Sequence, residues 1–433
     1  MRQRSWLTRT AASLFAALVA VGVTTACGSA GPGGAEDRDE IQLWTLQSEE
    51  QNPVLQKAID DYSGTTKVSM TTYVNDPYKQ KLQVSMGSAE APDIFFNWGG
   101  GNLAQFVEAA QVVDLTDALA KNPGTLDKFL PSVAKVGQID GKQYALPMNG
   151  IQPVVLFYNK EVFAKVGASP PKTYDDLLAL VATFKTKGIT PIALAGSQGW
   201  TELMYLEYLL DRVGGPDKFA AITADKPGAW SDPAVLKAVG MCQDLAKRGA
   251  FGTTFASVNY DNSGASKLFA TGKAAMHLMG SWEYGNQLTN TPDFVKNGNL
   301  GWVPFPSVAG GAGDPNNIVG NPSNYFSVSA KSAHRDQAAD FLIKTLTSDS
   351  YVTGMVAAGQ VPAIKGVESR FTGEHAEFTK FVYQLVATAP AFTQSWDQAL
   401  SPAAGTELNT NLQKLFISEL TPEQFVSAME KVG

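Results

Sequence analysis

Cysteine and histidine are scarce in this chain. Its 433 residues include two cysteines, Cys27 and Cys242, and three histidines, His277, His334 and His375. The histidines are far apart, and none stands in an H-E-x-x-H run or a close Cys/His set, so no metal site is indicated. A P-loop and a dinucleotide fingerprint are absent, and no cofactor is expected. Ser197 lies in Ala195-Gly196-Ser197-Gln198-Gly199, which lacks the first glycine of a nucleophile elbow. There is no Lys/Arg cluster, and acids exceed bases for a net charge of −7. That balance argues against nucleic acid as a partner. Beyond the N-terminus no apolar run approaches the roughly 20 residues of a membrane span.

The N-terminus is more informative. Arg2, Arg4 and Arg9 precede an apolar stretch from Ala11 to Val23, then Thr24-Thr25-Ala26-Cys27-Gly28. A basic start, a short apolar run and small residues at the break make an export signal over 1–26. The break resembles a bacterial lipobox, in which the cysteine becomes the acylated first residue, although Thr24 stands where such boxes usually carry Leu. Plain secretion with nearby cleavage is the other reading. Lipidation gives Cys27 a role in an oxidising compartment and leaves Cys242 alone. Cys242 shares a helical stripe with Leu236, Val239 and Leu245, so a buried inert thiol is expected.

Residues 27–40 are Gly-rich and then charged, and read as a flexible lipidated tether. From Ile41 the pattern alternates strand and helix: a strand into Trp44, a helix over Pro53–Tyr62, a strand over Val68–Val74, a helix to Gly87, and a strand over Ala91–Phe96. This β-α-β-α-β order calls for a largely parallel sheet. Tyr144 to Tyr158 contains a crossing into a second unit. There, Thr173 with Asp176 opens a helix, Ile189–Ala195 is a strand, Ser231-Asp232-Pro233 starts the Cys242 helix, and Lys273–Met279 is a strand. Pro304–Pro322, rich in Gly, Pro and Asn, reads as a loop or second crossing, followed by a strand over Tyr325–Ser329. The length suits two lobes.

Tryptophan recurs where strands give way to glycine or polar loops: Phe96-Asn97-Trp98-Gly99, Gly196-Ser197-Gln198-Gly199-Trp200, Gly280-Ser281-Trp282-Glu283 and Leu300-Gly301-Trp302. Trp44 and Trp98 both read as strand carboxyl ends, where ligands of open α/β sheets sit. Glu283 and Asp397 each follow a Trp. They are candidates for a glycosidase carboxylate pair, with hydroxyl acceptor or helix cap as the plainer reading. Trp230, ahead of a helix cap, reads as a packing residue.

Several of these stretches resemble one family. The export signal with Cys27, the strand into Trp44, Ala91-Pro92-Asp93-Ile94, Tyr158-Asn159-Lys160, and Phe269-Ala270-Thr271-Gly272-Lys273-Ala274-Ala275-Met276 running into Gly280-Ser281-Trp282 are similar to extracellular solute-binding proteins of sugar ABC importers, of the family 1, maltose-binding-protein-like type. Gln394-Ser395-Trp396-Asp397-Gln398-Ala399-Leu400 is similar to actinobacterial oligosaccharide binders, xylobiose binders among them. The resemblance implies an α/β, two-lobed periplasmic-binding-protein-like fold with a hinge and a central cleft. It places lobe 1 at 41–147 plus 318–362 and lobe 2 at 148–317 plus 363–433.

Sugar recognition suits these residue types. Flat rings cover the C–H face of a pyranose, and amides and carboxylates pair with its hydroxyls. The expected ligand-binding residues are Trp44, Trp98, Trp200, Trp282, Trp302, Tyr325 and Trp396 as rings, and Asn97, Asn149, Glu283, Asn324, Gln394 and Asp397 as polar partners. The expected protein is not an enzyme. It is a monomeric lipoprotein on the outer face of the cell membrane that captures a neutral oligosaccharide, xylobiose or another β-linked disaccharide, and delivers it to ABC permease subunits. The rival readings are a secreted glycoside hydrolase and a binder of a peptide or polyamine.

Overall fold

Short apolar runs, buried on both faces, become the central strands. Ile94-Phe95-Phe96-Asn97 and Ala274 to Gly280 are wholly buried, the pattern of sheets covered on both sides. The computed structural model describes residues 39–148 and 150–432. Cys27, Asn149, the export signal and most of the tether lie outside the described residues.

In chain order the strands are β1 (Glu40–Leu46), β2 (Lys67–Tyr73), β3 (Ile94–Asn97), β4 (Gln138–Ile139), β5 (Lys142–Gln143), β6 (Leu146–Pro147), β7 (Gln152–Asn159), β8 (Thr190–Ala193), β9 (Ala274–Gly280), β10 (Leu300–Val303), β11 (Ile318–Asn321), β12 (Tyr325–Val328) and β13 (Phe392–Gln394). One sheet runs β2-β1-β3-β12-β6, and the other runs β13-β11-β7-β9-β8 with β10 also on β7. β1, β2 and β3 are parallel, as their helical crossovers require. β12 returns antiparallel to β3 and β6. The second sheet is mixed, because β7 is antiparallel to β9, β10 and β11.

The sheets are the centres of two α/β lobes. Three crossings lie side by side between them. Met148 N–H donates to the Asn324 carbonyl at 2.9 Å and Ile151 N–H to the Val361 carbonyl at 2.8 Å. Gly150 is required there, since a Cβ would stand 2.2 Å from the Val361 carbonyl oxygen.

The structure differs from the sequence reading in three places. Trp44 is not at a strand end: β1 runs on to Leu46, and Thr45, Leu46 and Gln47 reach the cleft instead. The loop expected over Pro304–Pro322 contains β11. That strand is disguised by Gly320, whose φ of 132° and close approach to β7 leave a Cβ 2.6 Å from the Gln152 carbonyl oxygen. β11 also pairs in the second sheet, so the return to the first sheet begins after Asn321, not at Ile318.

Helix ends follow their capping residues. Thr173 and Asp176 form a reciprocal capping box, as do Thr421 and Gln424. Cys242 is fully buried in the helix Pro233–Lys247, and burial pushes its thiol well up from its usual range. Among the described residues no helix is long and apolar enough to cross a membrane.

Candidate functional site

A cleft of about 300 Å³ opens between the two sheets, within the size range of small-molecule sites. The first lobe contributes the turn after β1, the start of the helix Asn75–Ser85, and Trp98. The second contributes Trp200, Tyr260, Asp261, Trp282 and Asn286. The crossings supply the floor through Met148, Gln152, Asn321, Asn324 and Gln360.

The second-lobe wall is aromatic. The Trp200 and Trp282 ring centroids are 6.4 Å apart with planes inclined by 50°. Tyr260 meets Trp200 edge-on at 5.3 Å. Both Trp rings are only half-buried, so each keeps surface to offer a ligand. Gly280 makes the Trp282 pose possible: a Cβ there would fall 1.9 Å from a ring carbon. The Gly-Ser-Trp order is thus a steric requirement, because the ring folds back over the strand end.

Behind this wall lies a polar support. The Tyr260 hydroxyl donates to Glu283 Oε2 at 2.9 Å, Ser266 donates to the same oxygen at 3.0 Å, and Gln287 Nε2 donates to Oε1 at 2.6 Å. Burial, then the Glu283 charge, raises the Tyr260 hydroxyl well above its usual range, so it stays a neutral donor.

The floor holds acceptors with no partner. Asn324 Nδ2 donates to Gln152 Oε1 at 2.8 Å. Asn324 Oδ1 and Asn321 Oδ1 are buried and unpaired, as is Trp200 Nε1–H on the wall. A buried polar atom left so costs roughly 1–3 kcal/mol unless a ligand satisfies it. These atoms leave unused hydrogen-bonding capacity beside the cleft, two acceptors at its floor and one donor on its wall.

Contacts between segments of different sheets bridge the cleft. Thr289 donates to Glu50, which also accepts from Ser48 at 2.9 Å. Gln198 Nε2 donates to Asp76 and to Asp261 at 3.0 Å each. Burial, with the nearby Asp76 charge adding to it, holds the Asp261 carboxyl above its usual value. Lys79 Nζ stands 3.5 Å from Asp397.

Of the expected site residues, the structure brings Trp98, Trp200, Trp282, Asn324 and Asp397 to the cleft. The others in the described residues are placed elsewhere. Trp44 is buried in the first lobe against Tyr73, with Lys81 over its ring at 4.8 Å. Asn97 donates to Ser327 Oγ at 2.9 Å and accepts from Gly99 N–H at 3.0 Å, pinning the turn that aims Trp98. Glu283 is fully buried and engaged behind Tyr260. Trp302 packs on Tyr284 and Phe378 beneath β10. Tyr325 is fully buried and donates to the Val133 carbonyl at 2.8 Å. Gln394 donates to the Trp98 carbonyl at 2.8 Å. Trp396 is 1% exposed and stacks on Phe219 at 4.3 Å. Trp230 packs edge-on against Trp396 and Phe425.

Sequence reasoning missed Glu50, Lys79, Gln152, Tyr260, Asp261, Asn286 and Asn321. Asn286 and Asn290 lie at i and i+4 on the helix opened by Trp282, a spacing that puts both on one face. The polar aromatic run Tyr260-Asp261-Asn262-Ser263 was a second available signal. Among the described residues no three His, Cys, Asp or Glu side chains gather to hold a metal.

The chain is similar to known proteins along most of its length. It is 28% identical over 290 residues to an ABC transporter extracellular-binding protein of Pyrococcus horikoshii, covering 66% of this chain and 62% of that protein. With the diacetylchitobiose binding protein DasA of Streptomyces coelicolor it shares 25% identity over 380 residues, 86% of this chain and 80% of that one. A solved structure from work on xylan utilization by Caldanaerobius polysaccharolyticus superposes with a TM-score of 0.81 at 30% identity, covering 90% of this chain and 99% of that chain. Its α/β architecture is that of two-lobed solute-binding proteins, with a hinge and a central cleft. Residues 47–353 match the family described as bacterial extracellular solute-binding protein, and the chain belongs to that family.

Proposed function

We propose that the protein is the extracellular binding component of a sugar ABC importer, which captures a neutral oligosaccharide and delivers it to membrane permease subunits. One observation carries this reading. Two adjacent, half-exposed Trp rings line the same cleft as Asn321 and Asn324, whose amide oxygens are buried without a partner. Rings take the C–H face of a pyranose, and buried acceptors select its hydroxyls. The two rings, side by side and inclined, suit two consecutive sugar units better than one. The diacetylchitobiose binder and the xylan-utilization structure among its relatives support a short β-linked ligand, and xylobiose is our first choice.

Closure of the lobes selects the bound state, and the closed shape is what the permease reads. A hydrolase reading is not favoured by the candidate carboxylates: Glu283 is saturated behind the wall, and Asp397 faces Lys79. We place lobe 1 at 41–147 with 322–362, and lobe 2 in the rest of the folded chain. We further infer that Cys27 is acylated and anchors a monomer at the outer face of the membrane. Two or more acyl chains are implied, since one chain binds only marginally.

Calorimetry with xylobiose, cellobiose, diacetylchitobiose and maltose tests the ligand class. Saturable heat with at least one of them is expected. Heat only from a polyamine or peptide control would replace the sugar reading, and released monosaccharide would replace the binder reading with a hydrolase. For the anchor, Cys27→Ala is expected to free the protein from membranes; retention would remove lipidation at that residue.

A further inference from the structure

We propose that Lys79 sets the length of the ligand: its ammonium, held between the Trp98 ring and the Asp397 carboxylate, ends the row of sugar positions at that end of the cleft. The proposal rests on the sugar-binding reading and adds a stop to it. Lys79 Nζ lies 5.1 Å from the Trp98 ring centroid and 3.5 Å from Asp397 Oδ2. A cation over the ring and the C–H face of a sugar compete for the same π surface. While Lys79 holds this place, Trp98 is not available as a third platform beyond Trp200 and Trp282.

Next to this pair the first-lobe turn after Trp98 packs directly on the segment that carries Asp397. Lys79 lies on the helix Asn75–Ser85 of the first lobe, and Asp397 on the short helix after β13 of the second sheet. Beneath them the two segments touch directly. A Cβ on Gly101 would stand 2.4 Å from the Leu400 carbonyl oxygen, and one on Gly100 2.6 Å from Gln394 Oε1. The Gln394 amide donates to the Trp98 carbonyl at 2.8 Å across the same seam. No sugar passes through such a contact. Lys79 lines the cleft beside this seam, with its ammonium over the Trp98 ring.

The stop is a side chain and not a wall of backbone. The Lys79 side chain is 31% exposed, whereas that of Asp397 is 6% exposed. Asp397 is the more buried partner, and Lys79 is the longer and more exposed one. Truncating Lys79 to Ala takes the ammonium off the Trp98 ring, and the Gln394–Trp98 and Gly101–Leu400 contacts of the seam do not involve Lys79.

The test is calorimetric affinity of the wild-type protein, Lys79→Ala and Lys79→Arg for xylobiose, xylotriose and xylotetraose, or for the same lengths of whichever sugar the panel above selects. Wild type is expected to lose about tenfold in affinity from the disaccharide to the trisaccharide. Lys79→Ala is expected to shrink that ratio to about twofold, and Lys79→Arg to keep it. Asp397→Asn, which releases the ammonium without shortening it, is expected to fall between. A ratio in Lys79→Ala equal to that of wild type overturns the proposal, as does an equal loss at every length, which would make Lys79 a closure contact only. Failure of wild type to bind any sugar overturns the sugar-binding reading and this proposal with it, a result distinguishable from an unchanged length ratio.

Discussion

Tyr260 and Glu283 form a donor–acceptor pair at 2.9 Å, with the carboxylate fully buried and the ring standing at the cleft wall. Asn286 Nδ2 donates to the same hydroxyl oxygen at 2.5 Å. The phenol is therefore held from two sides, and its ring braces Trp200 edge-on. Glu283 is expected to influence a ligand only through this brace. Glu283→Ala leaves three buried donors without their acceptor and is expected to lower unfolding free energy by about 3 kcal/mol, read by urea denaturation. Glu283→Gln retains one acceptor and should cost less than half as much. Equal stability of Glu283→Ala and wild type would contradict the supporting role.

The tryptophans divide into two groups that binding assays separate. Trp200→Ala and Trp282→Ala are each expected to weaken sugar affinity about tenfold or more, because each removes a half-exposed ring from the cleft. Trp44→Ala and Trp302→Ala should leave affinity within about twofold, a difference of under about 0.5 kcal/mol, while lowering the melting temperature. If Trp44→Ala loses affinity as Trp282→Ala does, the wall has been misassigned.

Trp396→Ala is a stability variant. Its ring stacks on Phe219 with planes 6° apart and meets Trp230 edge-on. Truncation is expected to cost about 3–5 kcal/mol, as for other buried large rings. A chemical melt that barely moves, with binding lost, would restore this ring to the ligand.

Stability should fall as pH rises. Glu202 is buried with neither carboxylate oxygen paired, and burial pushes its carboxyl up to about 9 from a usual value of 4.5. Glu207 is raised to about 8, chiefly by burial, although the Trp396 N–H donates to it. Both folded values lie above the unfolded ones. Their contribution is therefore fully present below pH 4.5 and is lost as pH climbs toward 8–9, since the unfolded chain gives up protons that the folded chain keeps. The slope per group reaches at most about 1.4 kcal/mol per pH unit. Melting temperature is expected to drop between pH 5 and pH 8, and Glu202→Gln to flatten the drop. A wild-type melting temperature that rises over this interval would refute the assignment.

Much of the first lobe is legible in the sequence because its elements have clear periods. The β1-helix-β2-helix-β3 order follows from alternating and 3.6-residue patterns, and parallel pairing follows from the crossovers. β11 was hidden because one of its pairing partners, β7, is about 167 residues away in sequence, a separation that no local pattern records. Gly320, which breaks the local strand signal, is there because β7 passes too close for a side chain.

The site was partly legible. Gly280-Ser281-Trp282 marks a cleft wall because the ring needs the glycine beneath it, a requirement written in adjacent residues. Trp396 and Asp397 show the limit. They are neighbours on one short helix, yet the ring is buried on Phe219 and the carboxylate lines the cleft. Successive helical residues point about 100° apart, so adjacency says nothing about which one faces the ligand.

By itself the sequence determined the family, the alternation of elements, and the Trp282 corner, all of which depend on residues close in the chain. The tertiary structure decided which tryptophans remain uncovered, that Glu283 supports the wall from behind, and that Lys79 meets Asp397 across the cleft. Each of these depends on burial by segments distant in sequence, and burial is a property of the packed lobes.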